Sequence, residues 1–416
     1  MQRIVVIGAG FAGLWAAVGA ARKLEAQRIG RDCVEIVVVN RTHWHSIRVR
    51  NYEADLSNTL VPLADVLDPI GVRHIEGEVT GIDAASRTVV YSSGGCDQDL
   101  RYDRLVFALG SRVTRPPIPG LKEFAFDVDT YEAAVQLNGH IAALPSRSES
   151  AGQRTALVIG AGLTGLEAAT EMVGKLRAAF AGRDPAHNPR VIIADRRATI
   201  GSGMGAEGAK VIAQALAALG VETRASVSVH HVDECGVTLA SGERILTATV
   251  VWCGGLSAHP LTAAFPVECD ALGRLPVDPF LKIKGSASEF AAGDAAWFPI
   301  DGLHSTVMSC QHARPMGRFA GHNVVCDLIG EAMLPLHIDW YVTVLDLAQW
   351  GALYTGGWDH SLVSIGAEAK RTKQVINCER IYPPRSMDPQ DIFDAGAPIV
   401  QRPPDYGNHA QRSGPK

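Results

Sequence analysis

Two stretches of the chain share one pattern of apolar and small residues. Residues 3–13 (RIVVIGAGFAG) and 155–165 (TALVIGAGLTG) each run through consecutive β-formers, break at glycine-spaced turns, and enter an Ala/Leu-rich segment of helical length. A short unbroken apolar run bounded by turn residues predicts a strand buried on both faces, as in a parallel sheet. The same reading applies to VEIVVVN ending at Asn40, TVVY at 88–91, RLVFAL at 104–109, RVIIAD ending at Asp195 and ATVVWCGGL after Thr247. LWAAVGAARKL and residues 311–329 read as helices. Alternation of strand and helix predicts an α/β fold. ALGSR followed by PPIPGL reads as a crossing between units, and SRSESAGQ as a polar, flexible lead into the second repeat.

The repeated turns carry the chemistry. In G-x-G-x-x-G the first glycine (Gly8, Gly160) permits the tight turn, the second (Gly10, Gly162) lets the backbone approach a pyrophosphate, and the third (Gly13, Gly165) lets helix and strand pack. The phosphates would face unpaired N–H groups at a helix N-terminus. One such motif is weak evidence; two, each between a strand and a helix, predict two Rossmann-like three-layer units and two nucleotides, a flavin and a nicotinamide. Phe11, Ala12, Asn40, Arg41, Ala108 and Gly110 join the first glycine set as candidate FAD contacts. Asn40 stands where an acid usually ends the second strand. Gly293 and Asp294, in SASEFAAGDAAW, place a carboxylate for the ribitol. On the second unit Thr164, Asp195, Arg196 and Gly254 join the glycines as candidate NAD(P)H contacts. Asp195 favours NADH, while Arg196 and Arg197 leave NADPH open. The expected division is 1–121 with 271–330 for FAD, 122–270 for NAD(P)H inserted within it, and a C-terminal region at 331–416.

The order GAGFAG, YDRLVFALG, GAGLTGLE, AAGD resembles the two-dinucleotide-binding-domain flavoproteins, the superfamily of the pyridine nucleotide-disulfide reductases. Within it, HWHSIRVRNYE, YDRLVFALGS with IPGLKEFAF, GAGLTGLEAATEM and VVWCGGLSAHPL are most similar to the type II NADH dehydrogenases. The resemblance spans roughly residues 1–330. It implies non-covalent FAD on the first unit, NADH on the second, a small-molecule electron acceptor such as a quinone, and Glu167 facing the nicotinamide. It also implies a quinone-side helix at Gln311. There SCQHARPMG departs from the family, with Pro315 and Met316 in place of a second glutamine. The Pro-rich run 379–416 lacks the family's amphipathic membrane helices and reads as an extended or disordered end without a stable membrane anchor.

Composition narrows the alternatives. The 416 residues suffice for two to three domains, 47% are hydrophobic and 20% charged, and the formal net charge of −5 gives no basic bias toward nucleic acid. The first strand starts at Arg3, so no targeting peptide is expected and the expected location is cytoplasmic. The eight cysteines show no C-x2-C or metal-ligand spacing. Buried free thiols are the expectation, with Cys310 held open because a helix N-terminus lowers a thiol pKa.

Arg48 and Arg50 alternate in SIRVRNY, a strand pattern that would put both on one face, either solvated or lining the flavin cavity. His43 reads as structural and His45 stays open. Glu167, placed in the first turn of its helix, is favoured there by the dipole with or without a role. The aromatic run 340–358 would form core strands, wall an acceptor pocket, or pair two subunits in a homodimer. With Glu167, Gln311 and Arg48 as candidate catalytic residues, three readings compete: a quinone reductase, a soluble flavoenzyme for a small anionic metabolite, and a non-enzymatic redox sensor or docking protein.

Overall fold

The computed structural model describes residues 1–182 and 188–404. Two five-stranded parallel sheets dominate it. In the first, Gln2–Ile7 pairs with Val34–Asn40 on one side and Arg104–Phe107 on the other, with Arg73–Glu76 and Glu289–Ala291 at the edges. The second repeats that order with Thr155–Ile159 at its centre, flanked by Arg190–Ala194 and Thr249–Trp252 and edged by Val221–Arg224 and Ala125–Phe126. Ile4, Val5, Val6 and Ile7 have no exposed surface, as an apolar run within a covered parallel sheet requires. Each unit adds a three-stranded antiparallel sheet, Glu78–Asp83 to Cys96–Arg101 in the first and Val229–Asp233 to Arg244–Leu246 in the second. TVVY therefore belongs to an antiparallel meander. Strand Glu289–Ala291 follows the whole second unit yet completes the first sheet, so the second unit is inserted in the first. Ser111–Val113 pairs with Leu256–Ala258 at the crossing.

The first nucleotide helix, Phe11–Ala26, and the return helix, Cys310–Ile329, pack at very short range. A Cβ on Gly317 would lie 2.2 Å from the Ala12 carbonyl oxygen, and one on Gly321 2.0 Å from that of Ala16. Two glycines four apart thus set the helix spacing, a signal that the reading of 311–329 as a helix leaves out.

Strands Val342–Asp346, Ala352–Gly356 and Ser361–Ile365 form the C-terminal antiparallel sheet, followed by helix Gly366–Val375. The aromatic run at 340–358 forms part of this sheet. The end of the chain departs from expectation. Residues 381–404 are folded onto the first unit, with Ile381, Tyr382 and Ile392 buried and helix Pro389–Ala395 capped by Asp388, whose side chain accepts from Gln390 and Asp391 N–H. Scattered apolar residues between prolines supply enough buried surface to order the segment. Residues 405–416, the rest of the expected disordered end, lie outside the described residues. Among the described residues no helix is long and apolar enough to cross a membrane.

Candidate functional site

Both glycine turns have the same construction. Gly8 and Gly160 take φ of +90° and +103°, where a side chain is strained. A Cβ on Gly13 would sit 1.8 Å from the Gly8 carbonyl oxygen, and one on Gly165 1.7 Å from that of Gly160, so neither position accepts anything larger. Around Gly10 and Gly162, by contrast, an added Cβ meets nothing within 4 Å. Neither helix has a side-chain cap on these residues, so first-turn N–H groups face open space, as a pyrophosphate needs. Asn40 and Asp195 do matching work: Asn40 Oδ1 accepts from Ala9 N–H at 2.9 Å and Asp195 Oδ2 from Ala161 N–H at 2.6 Å. The imperfect signature at Asn40 is thus a substitution that keeps the loop bond. These cradles fit two dinucleotides.

The remaining candidates fall around these turns. Phe11 and Ala12 open the first helix, and Ala108 N–H bonds the Ile7 carbonyl, which sets the adjoining strand end beside Gly8. Gly110 and Gly293 both have positive φ, +68° and +77°. Arg41 and Arg196 are exposed, Arg41 3.9 Å from Glu132. Gly254 is required by Trp252, whose ring would lie 2.3 Å from a Cβ there.

Arg48 and Arg50 do not share a strand face. They lie in a 3-10 turn, Arg48–Arg50, and diverge. Arg48 pairs with the Asp129 carboxylate, donates to Ser111 Oγ at 3.0 Å and lies 3.5 Å from Asp294 Oδ2, whereas Arg50 is taken up by Glu53 and Tyr382. Asp294 also accepts from Ser111 Oγ at 2.6 Å; burial pushes its carboxyl up, against the pull of Arg48. His45 is fully buried with Nδ1 2.8 Å from the Ala9 carbonyl, and burial drops its pKa to about 4. It is therefore a neutral brace under the first turn. His43 is exposed, 3.4 Å from Glu76.

Glu167 lies one turn inside helix Leu163–Ala179, past the reach of an end effect, and the dipole is not what holds its charge. Its Oε1 is 2.7 Å from Lys373 Nζ and 3.1 Å from Asp346 N. Both side chains are buried. Burial pushes the Glu167 carboxyl up despite Lys373; burial also opposes the Lys373 ammonium, but Glu167 outweighs it and raises its pKa. Gln311 stands just after the N-cap Ser309 of the return helix and accepts from Val342 N–H at 3.2 Å. Cys310 is not activated: burial raises its thiol, overriding the helix end. The described cysteines are all free, but against the expectation of buried thiols Cys33, Cys96, Cys235 and Cys378 are exposed and only Cys326 is fully buried among them.

A cavity of about 430 Å³ is lined by Arg48, Thr164, Glu167, Gln311, Trp340, Tyr341 and Pro404. It opens between both units and the C-terminal region. Lys373, Asp129, Ser111, Arg314 and Arg318 are the residues that sequence reasoning missed. Only folding brings them to the site, and short-range spacing carries no sign of that.

Comparison with known proteins agrees with this architecture. The model of the pyridine nucleotide-disulphide oxidoreductases matches residues 2–317. An NADH dehydrogenase-like protein of Mycobacterium tuberculosis is 52% identical over 97% of this chain and 100% of its own length. A type II NADH:quinone oxidoreductase of the same species is 31% identical, covering 71% of this chain and 67% of the relative. Among solved structures, NDH2 of Plasmodium falciparum in complex with NADH superposes with a TM-score of 0.76 at 11% identity, over 95% of this chain and 97% of that one. On these grounds the chain belongs to the pyridine nucleotide-disulphide oxidoreductase family.

Proposed function

We propose that this protein is an FAD-dependent NADH oxidoreductase that hands electrons to a second small acceptor, of which a quinone is the best-supported kind. The observation that carries the reading is the paired construction of the two glycine turns, each with a strained first glycine, a crowded third glycine and open space at the second. FAD would occupy the first unit (1–121 and 271–330), held by Gly8, Gly10, Phe11, Ala12, Gly13, Asn40, Ala108, Gly110, Gly293 and Asp294. NADH would occupy the second (122–270), held by Gly160, Gly162, Thr164, Gly165, Asp195 and Gly254. Arg41 and Arg196 would lie at the rims. When bound, FAD supplies the centre that accepts hydride and releases electrons singly or in pairs.

The chain's own residues position and polarise. Arg48 locks Asp294 and Asp129 together, fixing the carboxylate meant for the ribitol. The N-terminus of the return helix, capped by Ser309, puts its positive end at the cavity, favouring negative charge there. The Glu167–Lys373 pair holds the nicotinamide side of the cavity in a fixed protonation state, and the C-terminal sheet lines one wall through Val342, Thr343 and Val344. The net reaction with a quinone is NADH + H⁺ + quinone giving NAD⁺ + hydroquinone, the second proton coming from solvent. The test is direct. The purified protein should be yellow, release its flavin on acid precipitation, and oxidise NADH with added naphthoquinone. A colourless protein that ignores added FAD would sink the reading.

A further inference from the structure

We propose that the part of the cavity lined by Arg314 and Arg318 is a binding site for an acceptor with an anionic group, a carboxylate, sulfonate or phosphate on a planar apolar body. The proposal rests on the reading that a second acceptor enters this cavity. Arg318 carries it. It is 1% exposed and lines the cavity, and its guanidinium lies 4.3 Å from the Trp15 ring centre. Among the described residues it has no ion-pair partner, and its buried Nε meets no hydrogen-bond acceptor. One turn earlier, Arg314 lies over the same ring at 5.4 Å, and among the described residues its side chain hydrogen-bonds only Gln401 Oε1, at 3.3 Å. Burial lowers both, Arg318 to about 9 and Arg314 to about 10.

A guanidinium held out of water without a counter-charge is costly, and removing it would ordinarily stabilise a protein. The close helix packing leaves it no retreat, because the Arg318 backbone is pressed on Gly19, where a Cβ would lie 2.7 Å from the Arg318 carbonyl oxygen. No charge among the described residues lining the cavity offsets it. Among the described residues Glu167 is the only carboxylate on the walls, and Lys373 occupies it. Val49, Tyr52, Trp340 and Ile376 provide apolar walls for a ring system, and the volume suits one small molecule. A planar fork of donors recognises an oxyanion with geometric specificity.

The experiment uses the full chain with its flavin. Steady-state kcat/KM is measured for 1,4-naphthoquinone and 1,4-naphthoquinone-2-sulfonate in the wild type, R318M, R318K and R314Q. Differences in reduction potential between the two quinones cancel when the sulfonate-to-neutral ratio is compared across variants. The ratio should fall about tenfold or more in R318M, the scale of one charge-assisted hydrogen bond, fall less in R314Q, and largely survive in R318K. Without turnover, naphthalene-2-sulfonate should raise the unfolding midpoint of the wild type saturably and that of R318M much less. R318M alone should unfold no earlier than wild type. An unchanged ratio, or no naphthalene-2-sulfonate binding, overturns the proposal. So does an R318M protein that loses its flavin, since the arginine would then serve the cofactor phosphates. Failure of NADH oxidation with both quinones would overturn the proposed function, while the sulfonate binding measurement would still decide this site.

Discussion

Replacing Lys373 with methionine should destabilise the protein in a pH-dependent way. The substitution keeps the length and apolar stem and removes the charge 2.7 Å from Glu167 Oε1 and the bond to the Val344 carbonyl at 2.9 Å. Removing one partner of a buried ion pair costs about 3–5 kcal/mol when the other stays charged. Glu167 can escape by protonating. Burial already raises its pKa above the ordinary 4.5, and without Lys373 nothing comparable pulls it back. A carboxyl whose folded pKa is raised is best tolerated below its unfolded pKa, and stability is lost as pH rises through the folded value. The penalty grows by about 1.4 kcal/mol per pH unit between the unfolded and the raised folded value and levels off above it. Unfolding of wild type and K373M, followed by tryptophan and flavin fluorescence at mildly acidic and mildly alkaline pH, should therefore diverge toward alkaline pH. The double variant E167Q/K373M removes the stranded carboxylate and should recover most of the loss and flatten the pH dependence. If K373M matches wild type at alkaline pH, or the double variant is no better than K373M, the pair does not organise this wall as described.

Three further outcomes are expected. D195A should weaken NADH and narrow its preference over NADPH by about 1–2 kcal/mol, read from kcat/KM for the two nucleotides, because the carboxylate at the second strand end is lost; a wild type that strongly prefers NADPH would refute the assignment. G10A and G13A should separate binding from folding: the open space at Gly10 predicts a folded protein with little flavin, and the 1.8 Å approach at Gly13 predicts poor soluble yield, both read by absorbance and circular dichroism. Deleting residues 381–416 removes Ile381, Tyr382 and Ile392, each worth about 1.5–3 kcal/mol when buried, and uncovers the core they pack on, so the truncated chain should melt earlier and be cut faster by protease.

What could be read in the sequence followed the range of the interactions. The glycine turns, their strands and Asp195 are local, so spacing alone located them. The insertion of one unit in the other was also readable, because AAGD lies after the second unit. Arg48 and Arg50 misled because alternation over a few residues fits a 3-10 turn as readily as a strand. Glu167 found its partner 206 positions away, and the unpaired state of Arg318 depends on what folding fails to bring near it. Residues 381–404 read as part of a disordered end because proline and polar residues dominate it, yet Ile381, Tyr382 and Ile392 are buried there.

The most direct test is anaerobic mixing of the purified yellow protein with one equivalent of NADH, followed by addition of naphthoquinone. The account predicts rapid bleaching of the flavin band and its full return when the quinone is added. A flavin band that NADH leaves unchanged, or that bleaches and is not restored by any quinone, would contradict it.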